Sequence, residues 1–121
     1  MIVGVGTDLV ENRRLEAWLA SPRLLAKYFS RAELSDVRDS SHPAASLAAR
    51  FAAKEAFGKA LGTGLRGLAL LDIETRRTAL GQPELHLSGR ARKALDARGA
   101  RVHLSLSHER DYSLAFVVLE V

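Results

Sequence analysis

The chain of 121 residues has no cysteine. Disulfides, cysteine-bound zinc and a cysteine nucleophile are therefore excluded, and a reducing, cytoplasmic setting is expected. Aromatic residues make up only 6% of the chain, too few for a platform on which bases could stack. No apolar run approaches the roughly 20 residues of a membrane span. The opening Met1-Ile2-Val3-Gly4-Val5-Gly6 lacks a basic leader and meets Asp8 and Glu11 too early for a signal peptide. Repeats, low-complexity tracts and linkers are missing too, so one domain over residues 1–121 is expected.

What is present is ordinary for a globular protein: 47% apolar residues, enough to build a core. The formal charge is +4 and the sequence pI about 10.0. A basic surface suits an acidic partner, whether nucleic acid, acidic protein or polyphosphate. The basic residues are scattered, as in Arg13-Arg14, Arg76-Arg77 and Arg90-x-Arg92-Lys93, with acidic residues among them.

Met1 to Gly6 reads as a short strand, after which Thr7-Asp8 turns into a helix from Glu11 to Ala20. Short helices are expected from Arg23 to Phe29 and from Ser30 to Asp39, the latter opened by the capping-box pattern Ser30-x-x-Glu33. The alanine-rich stretch from Ala44 to Leu61 predicts the longest helix, stopped by Gly62. Ala69 to Arg77 and Glu84 to Leu87 read as paired strands around a turn that ends at Pro83. Ser88 to Arg98 reads as a helix, and Arg101–Ser107 and Tyr112–Val121 as a closing hairpin turned by His108-Glu109-Arg110-Asp111. A strand, a helical block, then strands with one further helix argue for an α+β fold.

Three places carry chemistry. Asp8 follows Gly4-x-Gly6, and its position alone favours a helix cap. Those glycines are no dinucleotide fingerprint, because Leu9 stands where the third glycine would be. In Arg50-Phe51-Ala52-Ala53-Lys54-Glu55-Ala56-Phe57-Gly58-Lys59, Arg50 and Lys54 form one stripe of the helix, and Glu55 and Lys59 a second about 100° away. Charges flanking an apolar stripe place some of them at the edge of a buried region. Glu55 and Lys59 also have the spacing of a simple intrahelical ion pair. Gly58-Lys59 is no phosphate loop, since Ala60 replaces the required hydroxyl. His108, in Ser105-Leu106-Ser107-His108, ends a strand, where a surface turn residue is the commoner meaning. Asp72 and Glu74 share a strand face that could bind a cation, with polar surface or a structural hydrogen bond as the commoner meaning.

Taken in order, these pieces resemble the short bacterial class of 4′-phosphopantetheinyl transferases, the holo-acyl-carrier-protein synthases. The matching segments are Gly4-Val5-Gly6-Thr7-Asp8-Leu9-Val10, Arg50 through Gly62-Thr63-Gly64, Asp72-Ile73-Glu74, Gly81-x-Pro83 and Ser105-Leu106-Ser107-His108. The resemblance implies the 4′-phosphopantetheinyl transferase fold. It implies transfer of phosphopantetheine from coenzyme A to a serine of apo acyl carrier protein, releasing adenosine 3′,5′-bisphosphate, in fatty acid biosynthesis. By the same resemblance Asp8 and Glu55 match the magnesium ligands and Lys59 the lysine beside the reacting phosphate. His108 and Arg50 match residues near the 3′-phosphate of coenzyme A, and Gly62, Gly64 and Pro83 further coenzyme-binding positions. Arg14 matches the arginine that meets the acidic carrier protein. The serine's proton has two candidate acceptors, Glu55 or a metal-held water. A homotrimer with sites between subunits is implied as well.

Two departures stand out. Ser40-Ser41-His42-Pro43, ahead of the long helix, offers only His42 where basic residues are common in the family, and Gln82 replaces a lysine. The rival reading is a small basic nucleic-acid-binding module without catalysis. It leaves Asp8 and Glu55 unexplained.

Overall fold

A computed structural model describes residues 1–121. The elements are β1 (Ile2–Glu11), α1 (Arg13–Leu19), α2 (Pro22–Tyr28), α3 (Arg31–Asp39), α4 (Pro43–Leu61), β2 (Ile73–Arg77), β3 (Pro83–Leu87), α5 (Gly89–Ala97), β4 (Arg101–Glu109) and β5 (Tyr112–Glu120). Three strands form an antiparallel sheet in the order β1-β5-β4, and β2 and β3 form a separate hairpin. The α+β expectation holds.

β1 differs most from the sequence expectation. It runs on through Thr7 and Asp8 to Glu11, held by pairing with β5 from Gly4↔Leu119 to Glu11↔Tyr112. Asp8 is thus a strand residue and caps no helix. The N-cap of α1 is Asn12, whose backbone N–H donates to the Asp111 carbonyl at the hairpin tip. The strand expected from Ala69 starts only at Ile73, because Leu70–Asp72 wind into a 3-10 turn. Asp72 therefore leaves the strand face expected for it, and its carboxylate accepts from the Ser88 hydroxyl. β4 continues through His108 to Glu109, leaving Arg110-Asp111 as the turn, with Arg110 in the left-handed region at φ 51°.

Local signals held where the physics is local. The Ser30 hydroxyl accepts from the Glu33 N–H while Glu33 accepts from the Ser30 N–H. α4 ends on Gly62 at φ 83°, a conformation that glycine adopts without strain.

α4 lies across the inner face of the three-stranded sheet, against Val10, Ala115, Val117 and Leu119, in one buried cluster with Phe29, Leu47, Ile73 and Leu95. Its alanines permit close approach, and the glycines of β1 complete it. A Cβ on Gly6 would overlap the Ala56 carbonyl, and one on Gly4 the Ala60 carbonyl. Gly4-x-Gly6 is therefore a seat for a helix. The opposite face of the sheet leaves Val3, Val5, Leu9, Tyr112 and Phe116 exposed.

α4 buries residues on all sides, as a central helix does. Arg50 and Lys54, expected at the edge of the core, lie wholly inside it. Lys54 Nζ donates to Glu33 at 2.8 Å and to the carbonyls of Leu70 and Ile73 at 2.9 and 2.5 Å. The other Glu33 oxygen accepts from the Thr75 N–H. Glu33 and Lys54 thus tie α3, α4 and β2 together.

Candidate active site

The strand phase of β1 aims Gly4, Gly6, Asp8 and Val10 at α4, and the helix seated on the glycines brings its own residues to Asp8. Lys59 Nζ donates to Asp8 Oδ1 at 3.0 Å and to the Thr7 carbonyl at 2.9 Å. The intrahelical Glu55–Lys59 pair does not form; Lys59 reaches across to the strand. Glu55 is half-exposed beside them. Partial burial raises its pKa first and the negative charge of Asp8 raises it further, with Lys59 and Arg14 opposing. Asp8, Glu55, Lys59 and Arg14 of α1 therefore share one electrostatic neighbourhood, drawn from β1, α1 and α4.

No three His, Asp or Glu side chains gather anywhere in the chain. A divalent cation here would have two protein carboxylates and would draw its other oxygens from substrate and water. That is the donor set magnesium prefers. Asp8 already accepts a cation, the Lys59 ammonium at 3.0 Å.

A second feature lies at the start of α4. A cleft of about 730 Å³ is lined by Ser40, His42, Arg50, Arg77, His108 and Arg110, among others. His108 sits in β4 opposite Ser113, on the same face as Leu104 and Leu106. Its Nδ1 lies 2.9 Å from the Ser113 hydroxyl, which donates to Asn12 Oδ1 at 2.7 Å. Burial, then the charges of Arg77 and Arg50, hold His108 below the ordinary histidine pKa. Arg50 forms part of the floor. Its Nη2 meets Asp36 at 3.2 Å, its Nη1 donates to the Ser46 carbonyl and hydroxyl, and its buried Nε has no partner. Burial pulls its pKa down, against the Asp36 charge.

The structure thus gathers Asp8, Glu55, Lys59 and Arg14 at one place and Arg50 with His108 at another. Gly62 and Gly64 form the turn just beyond Lys59, with the Gly64 N–H closing on the Gly58 carbonyl. Pro83 pairs with Arg77 across the β2–β3 hairpin. The sequence reading passed over Arg77 and Ser113. Strand alternation marks both: Arg77 is in phase with buried Ile73 and Thr75, and Ser113 with buried Ala115 and Val117. Trp18 packs against Tyr28, Phe29 and Phe51 and so offers no open stacking platform.

Known proteins share this sequence and this fold. The model of the 4′-phosphopantetheinyl transferase superfamily matches residues 4–117. The chain is 51% identical to a holo-[acyl-carrier-protein] synthase of Treponema denticola, over 99% of both chains. It is 42% identical to that of Clostridium acetobutylicum, over 100% of this chain and 99% of the relative. Among solved structures, the crystal structure of the Neisseria meningitidis synthase superposes with a TM-score of 0.90 at 40% identity, over the whole of both chains. The Bacillus anthracis synthase in complex with coenzyme A (3′,5′-ADP) gives 0.81 at 36%, over 99% of this chain and 97% of the other.

Proposed function

The chain belongs to the 4′-phosphopantetheinyl transferase superfamily, and from that premise we propose how its residues carry out the reaction of its relatives. It is a transferase that moves 4′-phosphopantetheine from coenzyme A to a serine of apo acyl carrier protein. The serine oxygen forms a new bond to the pantetheine-side phosphorus, the bond to the departing phosphate breaks, and adenosine 3′,5′-bisphosphate leaves.

Such transfers depend mainly on positioning and on neutralising charge. Asp8 and Glu55 would hold magnesium, which supplies positive charge to the diphosphate when bound. The Lys59 ammonium, freed from Asp8, steadies the leaving phosphate. The serine proton needs an acceptor, for which Glu55 and a metal-held water are the two candidates. Exposed Arg14, beside this site, offers a cation to an acidic carrier protein. The basic cleft at the start of α4 receives the phosphate that does not react, on the ribose of coenzyme A, next to His108.

The observation that carries this reading is the convergence of Asp8 from one strand with Glu55 and Lys59 from one helix, fixed by the Gly4-x-Gly6 seat. We read residues 1–121 as one domain, since a single buried cluster draws on β1, β2, β3 and β5, with β4 packed against it. The exposed apolar face of the sheet supports a homotrimer whose subunits cover it. No helix is long and apolar enough to cross a membrane.

Incubation with coenzyme A, magnesium and apo acyl carrier protein, followed by intact mass spectrometry, tests the proposal. The carrier should gain one phosphopantetheine, and EDTA should prevent it. A gain untouched by EDTA would overturn the magnesium assignment. No gain across several apo carriers would overturn the reaction.

A further inference from the structure

We propose that Lys59 has a second role: without coenzyme it occupies Asp8 and weakens metal binding there, so that the metal and the coenzyme A diphosphate bind as a coupled pair. The inference rests on the reading given above, in which Asp8 and Glu55 hold magnesium and Lys59 meets the leaving phosphate.

The two carboxylates of the site differ in what they already hold. Lys59 turns away from Glu55, its neighbour one helical turn back, and pairs with Asp8 instead. Its Nζ is 3.0 Å from Asp8 Oδ1 and 2.9 Å from the Thr7 carbonyl, so two consecutive residues of β1 hold the ammonium against the strand. Asp8 is the more enclosed partner, with its side chain 16% exposed against 52% for Lys59. A divalent cation shared by Asp8 and Glu55 would have to share the Asp8 carboxylate with this ammonium. Two positive charges on one carboxylate repel each other, and each weakens the hold of the other. Arg14 is no such competitor: its charge reaches Glu55, but it forms no bond to Asp8.

The ammonium is able to leave. Lys59 stands in the last turn of α4 on a flexible four-carbon stem, and water can take its place at the Thr7 carbonyl. Lys54, five residues earlier, shows the contrast: it is wholly buried, held by Glu33 and two carbonyls, and has nowhere to go. A diphosphate gives Lys59 a second anionic partner. Once the ammonium moves to it, the Asp8 carboxylate is free. Any ligand that draws Lys59 off Asp8 therefore tightens the metal, and by linkage the metal tightens that ligand by the same factor.

Manganese(II) takes the same oxygen donors as magnesium, and electron paramagnetic resonance reads its free fraction. It would be titrated into the wild type, Lys59→Met, Lys59→Arg, Asp8→Asn and the double variant Asp8→Asn with Lys59→Met. Each titration is run with and without coenzyme A, corrected for manganese that the free coenzyme binds, and without carrier protein. Lys59 is exposed, so its variants should fold. Without coenzyme, Lys59→Met should bind manganese roughly two- to fivefold more tightly than the wild type, the scale of one partly exposed ion pair. Lys59→Arg, which keeps the charge, should not. In the Asp8→Asn background the tightening should vanish. Coenzyme A should raise manganese affinity by a larger factor in the wild type than in Lys59→Met. Equal or weaker binding by Lys59→Met, the same tightening without the Asp8 carboxylate, or an equal coenzyme effect in both proteins would each overturn the proposal. A wild type that binds no manganese, with or without coenzyme, would remove the metal reading and this proposal together. Transfer to carrier protein is measured in parallel. If the manganese pattern is found but nothing is transferred, the catalytic reading falls and the competition at Asp8 stands.

Discussion

Glu33 and Lys54 meet at 2.8 Å with neither side chain exposed to solvent. Burial pulls the Lys54 pKa down, and the charge and hydrogen bond of Glu33 pull it back up. Lys54 precedes Glu55 on α4, so this buried pair fixes the rotation of the helix that presents Glu55 to the site. Removing one partner leaves a charge buried without compensation. Lys54→Met alone should therefore cost about 3–5 kcal/mol. The double variant Glu33→Leu with Lys54→Met should recover part of that cost. Urea unfolding of the three proteins measures it, and equal stability of single and double variants would contradict the account.

Gly6→Ala should act on both stability and catalysis. The added methyl meets the Ala56 carbonyl and the Ala60 N–H, both backbone, so the helix has to lift. A destabilisation of about 1–3 kcal/mol is expected for such overpacking. The transfer rate should fall further than the folded fraction does, because lifting α4 parts Lys59 from Asp8. Gly99→Ala, just past α5, is the control: it meets nothing within 4 Å, but its φ of 60° still costs strain. Its loss should therefore show mainly in stability.

Asp8→Asn, Glu55→Gln and Lys59→Met should each lower kcat by about a hundredfold or more, the scale for losing one preorganised charge at a reacting centre. All three side chains are at least partly exposed, so circular dichroism and Tm should stay near wild type. Lys59→Met should leave the EDTA sensitivity of the residual activity intact, whereas the carboxylate variants should demand more magnesium.

His108 gives a pH dependence with a definite sign. Its pKa is lower in the folded protein than in an unfolded chain, chiefly through burial. Its contribution to stability is therefore full above the ordinary histidine value and is lost as pH falls toward the folded value. A bound phosphate favours the charged imidazole, so coenzyme A binding should take up a proton. Calorimetry in buffers of different ionisation enthalpy reads that uptake, and His108→Gln should reduce it.

The outer sheet face predicts an association. Phe116 lies between Thr7 and Ser105, with Val5 and Val118 beside them, and it is 40% exposed. Phe116→Asp should convert an oligomer to monomers in light scattering while leaving the inner face and the Tm of the subunit little changed. A wild-type monomer would remove the trimer reading.

The sequence by itself determined what neighbours along the chain can settle. The alanine run with Gly62 behind it makes α4, Ser30 and Glu33 close a capping box within four residues, and the last two strands fold back on their own turn. The residues read alone favoured a helix cap for Asp8 and a surface turn for His108; only the family resemblance joined them with Glu55 and Lys59. What only the tertiary structure decided depends on partners far away in sequence. Asp8 stays extended because Ala115 pairs with it. That partner lies over a hundred residues on, and no local pattern announces it. Lys54 goes inward because Glu33 of another helix receives it, and Arg50 is spent because Asp36 and Ser46 hold it. A buried cation needs a partner that compensates its desolvation. Which cation finds one was settled when α3, α4 and β2 packed together.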